Sequence, residues 1–140
     1  MIVLDTNVLS ELMRPAPEAK VILWLDTQPA VRLFTTTITQ AEILYGIEAM
    51  PAGKRRVALQ SAAKAMFQED FAGRILPFDG DAARMFPQIV LSRRASGRPI
   101  AQWDAQIAAI ARSRDASLAT RNTADFQHCG ITVLNPWGGG

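Results

Sequence analysis

Short apolar or β-branched runs alternate along the chain with longer stretches in which apolar residues recur every three or four positions. Ile2-Val3-Leu4 runs straight into Asp5, as a buried strand does when a polar turn ends it. Strands are predicted near 2–5, 31–35, 74–78, 116–119 and 131–134. Helices are predicted at 6–13, from Pro17 to Gln28, and at 37–50, 54–71, 79–95 and 101–113, with a kink at Pro87. Ile38, Ala41, Tyr45 and Ala49 form an apolar stripe on 37–50, with Glu42 inside it and Ile43, Leu44 and Ile47 beside it. Val57, Leu59, Ala62, Ala65 and Met66 lie along 54–71, so these two helices form an apolar hairpin. In 79–95 the inward positions are Ala82, Ala83, Phe86, Ile89 and Val90. Helix 101–113 is small or apolar on nearly every side and should be deeply packed. The alternation predicts one α/β domain over residues 1–137, a five-stranded, mostly parallel sheet with helices on both faces. Residues 138–140, all glycine, read as a flexible tail.

Composition narrows the class. Hydrophobic residues are 49% and charged residues 20% of the 140, a globular balance. No apolar run approaches the roughly 18 residues of a membrane span. The N-terminus lacks a basic region and a long apolar core, so a soluble cytoplasmic protein is expected. Cys129, the sole cysteine, excludes an internal disulfide framework and a cysteine-based zinc site.

Four acids stand where chemistry would be built. Asp5 and Asp125 follow strand ends, and Glu42 and Asp104 lie on helix faces that should be buried. The position of Asp5 alone favours a helix cap; Asp104, near a helix start, suits a cap as well as a site. Several carboxylates in one pocket repel, and proton sharing or a cation relieves them. Ligation by oxygen alone suits Mg²⁺ or Mn²⁺, which activate water and clamp a phosphodiester. If the four acids serve one site, 15 lysines and arginines face nine other acids, a balance of +6. The basic residues cluster at Lys54-Arg55-Arg56, at Arg93-Arg94 with Arg98, and at Arg112 with Arg114 and Arg121. A basic rim around an acidic pocket suits a polyanion.

Asp5-Thr6-Asn7, Ala41-Glu42, Asp104 in Asp104-Ala105-Gln106-Ile107-Ala108, and Thr120-Arg121-Asn122 followed by Asp125-Phe126 resemble the PIN domain. The likeness is nearest to the VapC and FitB toxins of bacterial toxin–antitoxin pairs and runs through Asn135-Pro136-Trp137. It implies a Mg²⁺- or Mn²⁺-dependent endoribonuclease held by a small VapB/FitA-like antitoxin, as a homodimer and a heterotetramer or larger. Carried over, Asp5, Glu42, Asp104 and Asp125 form the acidic site, with Thr6, Asn7, Thr120 and Asn122 as polar support. Trp103 departs from the small residue the pattern leads one to expect beside Asp104.

Other chemistry is thin. His128 is the sole histidine and sits beside Cys129, so a two-histidine ribonuclease mechanism is impossible. There is no GxxxxGK[ST] or GxGxxG loop, and Ser10, Ser61 and Ser92 have no nearby histidine. A receiver or phosphatase domain would need a second carboxylate beside Asp5 or a late lysine, and no lysine follows Lys64. A non-catalytic α/β domain that binds a partner protein is the other alternative.

Overall fold

A computed structural model, in which residues 1–138 are described, holds one sheet of five strands. They are β1 (Ile2–Leu4), β2 (Leu33–Thr36), β3 (Ile75–Leu76), β4 (Ser117–Ala119) and β5 (Val133–Leu134), in the order β3-β2-β1-β4-β5. Every pairing is parallel, and Val3 sits between Phe34 and Leu118. The helices are α1 (Thr6–Leu12), α2 (Ala19–Asp26), α3 (Thr37–Glu48), α4 (Lys54–Ala65), α5 (Gly80–Ala95) and α6 (Gln102–Ser113). The chain moves outward from β1 to β2 and β3, then crosses back to add β4 and β5. The order therefore reverses between β1 and β4. In open parallel sheets the crevice for ligands lies beyond the strand ends at such a reversal.

The pleat of β1 divides the core. Ile2 and Leu4 face a cluster with Val8 and Leu9 of α1, Val21 of α2, Ile43 and Ile47 of α3, and Ala63 of α4. Val3 faces the opposite cluster, with Ala82 and Ile89 of α5 and Ile107 to Ala111 of α6. Successive side chains of a strand point to opposite faces, so an apolar triplet needs cover on both sides. The helices on both faces supply it.

Local chemistry sets the boundaries. Asp5, Thr36 and Asp79 cap α1, α3 and α5 through their side chains. After α5, Gly97 adopts φ 72°, and Gly97 N–H and Arg98 N–H donate to the carbonyls of Arg94 and Arg93. This is a glycine-terminated Schellman end.

Several expectations are corrected. All five strands are shorter than predicted, and Val31 lies exposed in a 3₁₀ turn, Ala30–Arg32, before β2. The helix predicted to Phe71 is α-helical to Ala65 and continues as a π-turn, Met66–Asp70. Helix α5 continues through Pro87, which lies on its exposed side. The buried line of α3 is Thr39, Ile43 and Ile47, while Ala41, Tyr45 and Ala49 are exposed. The buried line lies roughly 150° around the helix from the predicted stripe, on the side of Ile43 and Ile47. Thr39 can be buried because its hydroxyl pairs with that of Thr6 at 3.1 Å. Val57 and Ala83 are likewise exposed, not inward. Among the described residues no helix is long and apolar enough to cross a membrane. The tail expected at 138–140 falls largely on residues 139–140, outside the described residues.

Candidate acidic site at the carboxyl edge of the sheet

Asp5 leaves β1 at the point where the sheet order reverses. Its backbone N–H still donates to Ala119 of β4, at 2.9 Å, so the residue is fixed between the central strands. Its Oδ1 accepts the Thr6 backbone N–H at 2.8 Å, and its Oδ2 accepts the Thr120 hydroxyl at 2.8 Å. Thr120, fully buried at the end of β4, also accepts from Asn7 Nδ2 and the Asn122 backbone N–H, both at 3.1 Å. Asn7 Oδ1 in turn accepts the Arg121 N–H at 3.3 Å. Asn7 Nδ2 also reaches Oδ2, at 3.5 Å, so each oxygen of Asp5 receives a short bond and Oδ1 keeps a free lone pair. The helix cap and the crevice carboxylate are one residue.

The other acids approach from separate elements. Glu42, on α3, accepts the Thr6 hydroxyl at Oε1, 3.0 Å away. Asp104 sits half-buried in the first turn of α6, where the helix's positive end favours an acid. Asp5, Thr6, Asn7, Glu42, Asp104 and Asn122 line one open cavity of about 500 Å³, together with Arg121 and Trp137. Asp125 does not line it. It is exposed in a 3₁₀ turn, Thr123–Phe126, close enough for its charge to act on Asp5 and Asp104. Phe126 buries that turn from beneath, and Arg93 holds it through the carbonyls of Ala124 and Gln127.

The electrostatics record the crowding. Burial raises the Asp5 carboxyl above its usual range, against the bonds from Thr120 and Thr6 and with help from Asp125. Burial pushes Glu42 up to about 7, offset by the Thr6 bond and reinforced by Asp5 and Asp104. Burial, Asp5 and Asp125 push Asp104 up to about 6, with the Arg93 charge opposing. Among the described residues no three carboxylate, imidazole or thiol groups stand close enough to enclose a metal ion. The donor set, all carboxylate oxygen with hydroxyls and amides behind it, suits a hard divalent cation.

The basic rim is corrected in detail. Arg93 is only 4% exposed and donates to the carbonyls of Arg98, Ala124 and Gln127, so it is internal structure. Arg56 pairs with Glu48, Arg98 with Gln127, Arg112 with Gln88, and Arg114 with Asp79. Of the predicted clusters only Arg121 lines the acidic cavity, where it stacks on Trp137. Arg14 and Glu11 were missed. They line the cavity as an ion pair at 3.1 Å, and Glu11 also accepts the Glu18 N–H. Their i,i+3 spacing was the available signal. His128 is exposed and outside the cavity; Cys129 is buried.

The comparisons identify the family. The family model described as the PIN domain matches residues 2–130. A VapC ribonuclease, Y4jK, of Sinorhizobium fredii is 42% identical over 98% of both chains. Toxin FitB of Neisseria gonorrhoeae is 39% identical over 98% of this chain and 99% of its own. The solved structure of FitAB bound to an IR36 DNA fragment superposes with a TM-score of 0.91 at 39% identity, covering 98% of this chain and 96% of that one. A carboxylate-lined crevice at the strand-order reversal and homology along nearly the whole chain lead to one assignment: the chain belongs to the PIN-domain family, in its VapC/FitB group.

Proposed function

We propose that the chain is a Mg²⁺- or Mn²⁺-dependent endoribonuclease and the toxin of a toxin–antitoxin pair, acting in the cytoplasm as one domain over residues 1–137. The observation that carries this reading is that Asp5, Glu42 and Asp104, all with raised proton affinity, share one open cavity. Asp5, Glu42, Asp104 and Asp125 are the residues that would hold the ion. A bound divalent ion lowers the pKa of its water and offsets charge on the phosphate. The protein's part is positioning. Thr120 and the Thr6 N–H fix Asp5, and the Thr6 hydroxyl fixes Glu42. Asn7 and Asn122 lock Thr120 in turn. Arg121, on the rim, attracts the RNA backbone.

The toxin reading is supported by the likeness to toxin FitB, the ribonuclease reading by the likeness to the VapC ribonuclease Y4jK, and the toxin reading also by a second cavity. A groove of about 720 Å³ runs between α1, α3 and α4, lined by Met13, Ile43, Ile47 and Leu59 and sharing Thr6, Arg14 and Glu42 with the acidic site. An antitoxin segment seated along its α1 and α4 side would reach Glu42 and keep RNA out of the groove. A homodimer carrying antitoxin, as a heterotetramer or larger, is the assembly this reading expects.

The test is RNA cleavage by protein freed of any partner and stripped of metal. No cleavage is expected in excess EDTA, with recovery on adding Mn²⁺ or Mg²⁺. Full activity in chelator would overturn the metal's role, and no cleavage of any RNA with either ion would overturn the ribonuclease reading.

A further inference from the structure

We propose that Trp103 and Tyr45 form a stacking platform for an unpaired base of the RNA beside the cleaved phosphate; this rests on the ribonuclease reading above. Trp103 immediately precedes Asp104 at the start of α6, and Tyr45 lies one turn beyond Glu42 on α3. Both are out in solvent, at 43% and 70% exposure. Their rings meet edge to face, with centroids 6.5 Å apart and planes at 83°. In such a pair one ring gives only its edge to the other, so a face remains for a third ring.

Their exposure has no explanation within the fold. Tyr45 is the sole tyrosine, and of three tryptophans Trp24 and Trp137 pack into the core while Trp103 does not. Gly46, next to Tyr45, lies inside α3, where glycine costs about 1 kcal/mol relative to alanine. A Cβ there would meet nothing within 4 Å, so packing within the chain does not demand glycine. The space beside the aromatic pair is open to a ligand.

The surroundings favour RNA as that ligand. Trp103, Tyr45 and Gly46 line the groove that shares Thr6, Arg14 and Glu42 with the acidic cavity. Arg14 and Arg55 line the same groove, and Arg55 makes no ion pair among the described residues. Arginine beside exposed aromatic rings is the chemistry that binds single-stranded nucleic acid, by backbone attraction and sequence-tolerant stacking. A base held here would sit beside Asp104, the residue after Trp103, and one helical turn from Glu42, which suits a nucleotide neighbouring the cleaved bond and not the bond itself. Duplex RNA keeps its bases stacked inside and could not use the platform.

The experiment compares wild type, Trp103→Ala, Trp103→Phe and Tyr45→Leu on a short fluorescein-labelled single-stranded RNA of mixed sequence, with Mg²⁺. Trp103→Ala is expected to raise KM about tenfold or more with kcat changed less than about threefold, and Trp103→Phe to recover most of the loss. In an Asp104→Asn background, tryptophan fluorescence is expected to be quenched by the single strand, and the quench to shrink with Trp103→Phe to what Trp137 in the acidic cavity contributes. Normal KM in both Trp103→Ala and Tyr45→Leu, or a quench unchanged by Trp103→Phe, would overturn the platform. So would variants that bind and cut RNA normally but lose the antitoxin, since the pair would then be a protein contact. A wild type that cuts no RNA would instead sink the ribonuclease reading, a result distinct from any of these.

Discussion

Asp104→Asn is expected to cut RNA about a thousandfold more slowly, or worse, and yet to melt higher than the wild type in metal-free buffer. The loss follows if a ligand of the cation contributes about 4 kcal/mol to the transition state. The gain follows from crowding. Two carboxylates about 6 Å apart at an effective dielectric near 20 repel by roughly 3 kcal/mol, which half-exposure reduces to about 1 kcal/mol. That is a rise of about 3 °C for a domain of this size. Asp104 suits the test because its carboxylate receives no hydrogen bond among the described residues, so amidation breaks none; Asp5→Asn would turn an amide toward two existing donors, Thr120 and Asn7. The gain also has a pH signature. Burial and neighbouring acids lift Asp104 from 3.8 to about 6 in the folded chain. Between those values the native state binds the proton that the unfolded state has released, so wild-type stability falls as pH rises. The variant's advantage is therefore expected to be full above about pH 7 and to disappear toward about pH 4. Melting curves at the two ends of that window check it. A variant that melts well below the wild type at both would make Asp104 a structural residue.

Arg93→Met is expected to cost about 3–5 kcal/mol of folding stability, read as a lower midpoint in urea at unchanged m-value. Methionine keeps much of the length and apolar stem but donates nothing. The carbonyls of Arg98, Ala124 and Gln127 would lose the guanidinium that joins the end of α5 to the turn carrying Asp125. Arg93→Lys is expected to rescue little, because one ammonium cannot reproduce the planar fork. Cleavage should fall in both, as Asp125 loses its mooring and Asp104 the one cation that favours its charged form. A midpoint within experimental error of the wild type would mean that the three carbonyls find water at no cost.

Arg93 also illustrates where sequence reading stops. A run of arginines on a helix looks solvated or substrate-facing, and only contacts some 30 residues away make one of them internal. The same limit hid Thr120 as the main hydrogen-bond partner of Asp5, 115 residues apart in the chain. The parallel sheet was readable because apolar triplets buried on both faces are a local signal. Asp5, Glu42 and Asp104 were readable as candidates because a carboxylate at a strand end, or on a helix that should pack, conflicts with its surroundings; Asp125, read the same way, lies outside the cavity. The rotation of α3 was not readable, since counting apolar positions cannot foresee a buried Thr39 satisfied by Thr6. That rotation takes Tyr45 from the predicted core to the rim of the site. The resemblance to PIN domains ordered the acids into one site, whereas the residues alone left each of them open between a cap or structural partner and a ligand.

The chemistry of the RNA ends tests the central claim most directly. A divalent ion held by Asp5, Glu42 and Asp104 would supply activated water, and hydrolysis by water would break the bond to the 3′-oxygen and leave a 5′-phosphate and a 3′-hydroxyl. A ribonuclease without metal uses the neighbouring 2′-hydroxyl and leaves a 2′,3′-cyclic phosphate, which calls for acid–base side chains; the only histidine, His128, is exposed and outside the cavity. Mass spectrometry of fragments made by the partner-free protein with Mn²⁺ is expected to show 5′-phosphate and 3′-hydroxyl ends alone. Fragments ending in a 2′,3′-cyclic phosphate would contradict it.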